Sequence, residues 1–127
     1  MLLKDIVNPE FTIAFSKLLT VNLPVKTAFK LAGINKILQE EMAKYGQIRN
    51  RLLTQYGKKD SEGNLITEET SSGKVYSMDN KEKFDKEYEE LINISVDLPK
   101  IALSEMGDIE LSAQSLSVLL PILEDDL

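Results

Sequence analysis

The sequence predicts an α+β fold, mainly α: a long antiparallel helical hairpin with a small β-hairpin tip and a small α+β base. Three observations carry this expectation. No proline interrupts residues 25–56, and apolar residues recur there every three or four positions. Residues 60–80 combine turn formers with two short β-prone runs. A second charged stretch with helical spacing then follows, rich in acids where the first is rich in bases.

The 127 residues amount to one domain. A single domain over 1–127 is therefore expected, with an N-terminal helix in 1–23, a long helix over 24–57, the hairpin tip over 60–79, a return helix over 80–93, and strands with a C-terminal helix in 94–127. Hydrophobic residues make up 43% of the chain, enough for a core, while aromatics make up only 6%. Such a core is largely aliphatic, which suits helix-on-helix packing.

In chain order, "VNPEFTIAFSKLLT" holds a helix start. Asn8 suits the cap, Pro9 the first helical position, and Glu10 the positive end of the helix dipole. Phe11, Phe15 and Leu18 or Leu19 continue it, so a helix is expected over 9–19. A second start follows at Asn22 or Leu23 with Pro24. Ala28, Leu31, Asn35, Leu38, Met42, Tyr45, Arg49, Leu52 and Tyr56 then form a heptad-like seam. Asn35 and Arg49 are its polar interruptions. Either they set register or oligomer state, or the helix rotates and they face solvent. Gly57 provides the stop.

"NLITE" and "KVYSM" are read as the two strands of a hairpin with a loose loop at "ETSSG". Asp79 or Asn80 caps the return helix, whose apolar face is Phe84, Tyr88, Leu91 and Ile92. Alternation at Ile94, Val96 and Leu98, resumed at Ile101 and Leu103, suggests an edge strand broken at Pro99. "DIEL", 108–111, is expected as its partner. Ser112 caps a final helix through Leu120, which Pro121 ends or restarts. A two-helix hairpin buries little surface for its length, so a homo-oligomer or a larger partner is expected.

The net charge of −6 is unevenly spread. Residues 24–59 carry eight cations against two acids, a net +6, and residues 60–127 carry a net −12. A basic helix of this kind can track nucleic-acid phosphates. Mutual attraction between the two helices is the preferred reading, because the bases are dispersed and the whole chain repels phosphate. Nucleic acid is not the expected partner.

The chain has no histidine and no cysteine. That removes the commonest general base, the thiolate nucleophile and the usual transition-metal ligands. "DSEGNLITEE" begins like a calcium loop. Counting from Asp60, however, its sixth residue is Leu65 and its twelfth Ser71, where an EF-hand needs glycine and glutamate. Gly63 marks a turn instead. Glu40–Glu41, Glu89–Glu90 and Asp125–Asp126 are sequence neighbours that diverge on a helix, and no phosphate-binding glycine motif occurs. No catalytic residue, metal or cofactor is expected, and the chain reads as a non-enzyme. At the tip, Ile66, Val75 and Tyr76 are the candidate partner contacts, or else they pack the hairpin onto the helix ends. No run approaches the roughly 18 apolar residues of a membrane span, and "MLLKDIVNPEF" lacks signal-peptide features.

"LPVKTAFKLAGINKILQEE", "RLLTQYGKKDSEGN", "DNKEKFDKEYEELINISVDL" and "LSAQSLSVLLPILED" together resemble a group of small proteins of unknown function encoded by tailed bacteriophages and prophages. The likeness covers most of residues 20–125, and none of its motifs is catalytic. It implies a phage setting and the cytoplasm of a bacterial host, or the virion. The helix, β-hairpin, helix order also looks like prefoldin subunits, in shape alone. The function expected is that of a non-enzymatic phage accessory protein working through protein–protein contacts, in virion assembly or as a chaperone-like helper. The alternatives are a counter-defence or host-takeover inhibitor that binds a host protein through its acidic surface, and nucleic-acid binding by the 24–59 helix.

Overall fold

The structure, a computed structural model, describes residues 1–107 and 109–124. The fold is α+β and mainly helical. Helices α1 (Leu3–Ile6), α2 (Pro9–Thr20) and α3 (Val25–Tyr56) come first, followed by strands β1 (Thr67–Thr70) and β2 (Gly73–Tyr76). Then come α4 (Lys81–Ile92), β3 (Ile101–Ala102), α5 (Ala113–Leu119) and β4 (Leu123–Glu124). The chain divides into two compact units, one formed by 1–42 with 94–127 and the other by 43–93, and α3 contributes to both.

In the first unit, α2 starts as its cap residue requires: the Asn8 side chain accepts a hydrogen bond from the Glu10 backbone N–H at 3.0 Å. Phe11, Ala14, Phe15 and Leu18 form its buried face, and the Phe11 and Phe15 rings stack 5.9 Å apart. The core of this unit also holds Leu31, Ile34 and Leu38 of α3, together with Ile101, Leu119, Ile122 and Leu123, and α2 packs mainly against α5. Each such aliphatic side chain contributes about 2 kcal/mol by leaving water. Among the described residues the one buried polar side chain is Thr27, whose hydroxyl donates to the Glu105 carbonyl. One turn on, the Lys30 ammonium meets the Glu105 carboxylate at 2.8 Å. Together these contacts hold the 3-10 turn Leu103–Met106 to α3.

Several expectations change here. The buried face of the first half of α3 is Thr27, Leu31, Ile34 and Leu38, whereas Ala28 and Met42 are exposed. The helix is rotated from the expected seam because packing against the rest of the unit sets its phase. Residues 94–98 form no continuous strand. Instead the Leu3 N–H donates to the Ile94 carbonyl and the Val96 N–H to that of Met1, so 1–3 pairs with 94–96 around a Leu2–Ser95 bridge. The real partner of 101–102 is β4, in parallel, with Ile101 opposite Leu123. In the expected strand 108–111, residues 109–111 are irregular and Asp108 lies outside the described residues, as do Asp125 and Asp126. Helix α1 was unexpected. The last helix follows expectation: the Ser112 hydroxyl accepts from the Ser115 N–H at 3.1 Å, and Leu120–Ile122 continues as a 3-10 turn.

Candidate functional site

The second unit is built around the turn that joins α3 to α4. Gly57 ends α3, and its N–H donates to the Leu53 carbonyl at 2.7 Å. Two backbone hydrogen bonds then tie the helix end to the legs of the hairpin, and a third joins the legs to each other. The Lys58 N–H donates to the Ser77 carbonyl, the Ile66 N–H to that of Lys58, and the Ser77 N–H to that of Ile66. Asp60 closes the connecting turn by accepting at Oδ1 from the Glu62 and Asn64 N–H groups, at 2.9 and 3.0 Å.

The hairpin differs from its expected form. Its strands are Thr67–Thr70 and Gly73–Tyr76, paired antiparallel with Thr70 opposite Gly73. The loop is therefore tight, not loose, with Ser71 and Ser72 at its apex. "NLITE" is largely the approach to β1, because the three-way junction at Ile66 takes up the backbone before pairing begins. Gly73 at φ 109° provides the left-handed residue the turn needs, and the Thr70 hydroxyl donates to its carbonyl at 2.9 Å. On the far side, Asn80 caps α4 by accepting from the Lys83 N–H at 3.1 Å.

Between the hairpin and the helices of this unit lies a cleft of about 780 Å³. Its apolar surface comes from Leu53, Val75, Met78 and Phe84, with the ring of Tyr88 stacked on Phe84 at 5.7 Å. Around that surface stand Arg49, Lys58, Lys74 and Lys81 against Glu68 and Asp85, an excess of two positive charges in a chain of net charge −6. The Lys81–Asp85 pair is 4.0 Å apart and exposed, so it costs little to open.

Beside the cleft the Tyr45 and Tyr88 hydroxyls share a hydrogen bond of 2.6 Å. Burial, and then that bond, push Tyr45 up to about 12, with Arg49 nearby opposing the shift. At neutral pH Tyr45 is thus a hydrogen-bonding group and not a base. For Tyr56 the largest cause is instead a hydrogen bond to Glu87, which raises the phenol, and Glu87 Oε2 is buried without a partner. What this surface offers chemically is aromatic and aliphatic area among four cations and two carboxylates.

The candidate residues distribute unequally. Val75, Tyr76 and Arg49 all line the cleft, and Val75 and Tyr76 are 40% and 39% exposed. Ile66 is not part of its lining. It is half-buried, and its backbone belongs to the junction at the hairpin root. Asn35 lies in the first unit, half-buried in a groove of about 410 Å³ beside Phe15, Leu19 and Gln39. Sequence reasoning did not assign Lys58, Lys74 and Lys81 to a common site. Their convergence depends on a fold-back that no local pattern encodes.

No family model, curated protein or solved structure matches the chain. Among the described residues no helix is long and apolar enough to cross a membrane.

Proposed function

We propose that this is a non-enzymatic accessory protein of a tailed phage or prophage. It grips another protein with the hairpin cleft, in virion assembly or as a chaperone-like helper within the bacterial cytoplasm, and it works as a homo-oligomer. The phage setting rests on the resemblance over residues 20–125. The observation that carries the binding role is the convergence of Val75, Tyr76 and Arg49 at one cleft, with exposed apolar area among lining charges that sum to two positive. Such a surface fits a segment bearing an apolar or aromatic side chain between carboxylates, since the cations steer the approach and the apolar contact slows release.

The test compares the full chain with Tyr76→Ala and Val75→Asp variants as baits during infection, with purified virions analysed in parallel. Both positions are exposed, so the variants remain folded. We expect a phage or host protein that the wild type retains and both variants lose, with a loss of at least about 2 kcal/mol for a central contact. If the retained proteins are the same for wild type and variants, the cleft is not the gripping surface.

A host-takeover inhibitor is the second reading, favoured by the exposed Glu82, Glu89 and Glu90 of α4. It requires salt-sensitive binding to one host protein that survives Tyr76→Ala. The rings and cations of the cleft would also suit a nucleic-acid strand. A gel shift at low salt separates that case, and none is expected because the molecule carries net negative charge.

A further inference from the structure

The most exposed large hydrophobic residues described are in the first unit, not at the cleft: Val25 at 84% and Phe29 at 81%. At about 100° per residue, Val25, Phe29 and Lys36 fall within about 40° of one another, on the side of α3 away from Thr27, Leu31, Ile34 and Leu38. That second set is buried, so the same helix segment presents one face to the core and an apolar one to solvent. Ala28, Ala32 and Gly33 extend the outer face, all exposed, and a Cβ built on Gly33 would meet nothing within 4 Å.

The charge that α3 itself brings to this segment is one-sided. No acid occurs between Glu10 and Glu40, while Lys26, Lys30 and Lys36 all lie in the segment. Lys30 is engaged by Glu105, which leaves Lys26 and Lys36, both exposed, beside the apolar stripe.

We propose that this outer face of α3, from Val25 to Lys36, docks an acidic amphipathic helix of another protein. Its apolar side covers Val25, Phe29 and Ala32, and its carboxylates meet Lys26 and Lys36. A second copy of this chain is disfavoured as occupant. Isologous pairing through this face would set the lysines of one copy against those of the other, with no acid of this helix segment between them. A lipid surface is disfavoured too. Only Val25 and Phe29 carry enough apolar area to insert, whereas the small residues Ala28, Ala32 and Gly33 suit the close approach of a second helix. With the cleft of the other unit, the chain then carries one docking surface on each unit, as an adaptor does.

The test titrates the full chain with a synthetic helix of about 20 residues, leucine and alanine along its seam and glutamate on both flanks. A twin peptide carries lysine in place of every glutamate. We expect the glutamate peptide to bind and the lysine peptide not to. Raising salt from ~0.05 M to ~0.5 M should weaken binding at least about tenfold. Phe29→Ala and Phe29→Asp should each weaken it by about tenfold or more, with unchanged circular dichroism because Phe29 is outside the core. Tyr76→Ala should leave it intact. Loss on Tyr76→Ala but not on Phe29→Asp would move the peptide to the cleft and overturn this proposal without touching the function proposed above. Equal binding of both peptides, or none, would also overturn it. So would Phe29-dependent binding of anionic phospholipid vesicles without the peptide, or Phe29-dependent self-association in light scattering.

Discussion

At the scale of single residues, the Tyr45–Tyr88 contact is the most informative polar interaction of the second unit. Tyr45 is neutral when protonated, and its folded-state value of about 12 lies above the ordinary 10.0. The stability it contributes is therefore complete below about pH 10 and is lost as pH rises from about 10 to 12. Tyr88→Phe removes the hydrogen bond but leaves the burial. A tyrosinate absorbance titration should show Tyr45 ionising at lower pH in that variant, and denaturant unfolding should show a loss of about 1 kcal/mol. An unchanged titration would mean that burial alone sets the shift. The sequence placed both tyrosines on apolar helix faces, Tyr45 in the α3 seam and Tyr88 on α4. That their hydroxyls would meet was not legible, because the contact spans 43 positions.

Among elements, the end of α3 decides where the hairpin begins. Gly57 is needed for space and not for an unusual φ. A Cβ there would collide with the Leu53 carbonyl oxygen and with Leu65 Cδ2, 2.5 Å away. Backbone cannot yield as a flexible side chain can, so Gly57→Ala should destabilise the fold by about 2 kcal/mol or more. Chemical denaturation measures this, and Gly46→Ala serves as the control, since nothing lies within 4 Å of its built Cβ. The control should be neutral or slightly stabilising, because alanine is the better helix former. Helix ends of this kind were readable in advance. Asn8, Asn80 and Ser112 all cap through bonds to residues two or three positions away. The β-elements were read less well. The runs around the hairpin were identified but their boundaries shifted, and the parallel β3–β4 pair escaped because its strands are two residues long and 22 positions apart.

For the whole molecule, the two units differ in how much apolar surface they bury. Of the buried hydrophobic residues described, only Leu52, Leu53 and Leu91 belong to 43–93. The other unit holds Leu18, Ile34, Ile101, Leu119 and Ile122 with essentially no exposure. Native-state hydrogen exchange should therefore find the amides of 43–93 opening at lower free energy than those of α2 and of the first turns of α3. Uniform exchange across both units would contradict this. If the proposed partner occupies the cleft, it should stabilise the unit 43–93 by mass action and slow exchange there.

The sequence by itself determined helices α2 to α5 with the caps at Asn8, Asn80 and Ser112, the presence of a hairpin between α3 and α4, and the segregation of charge, but not α1. All of these depend on residues within about a turn of one another, or on composition. Tertiary structure alone decided which face of α3 is buried. It put Thr27 and Ile34 inside, left Val25 and Phe29 in solvent, and brought Arg49, Val75 and Tyr76 to one cleft. Those outcomes depend on contacts between residues far apart in the chain. A periodic pattern identifies a helix, but its rotation is set by what it packs against.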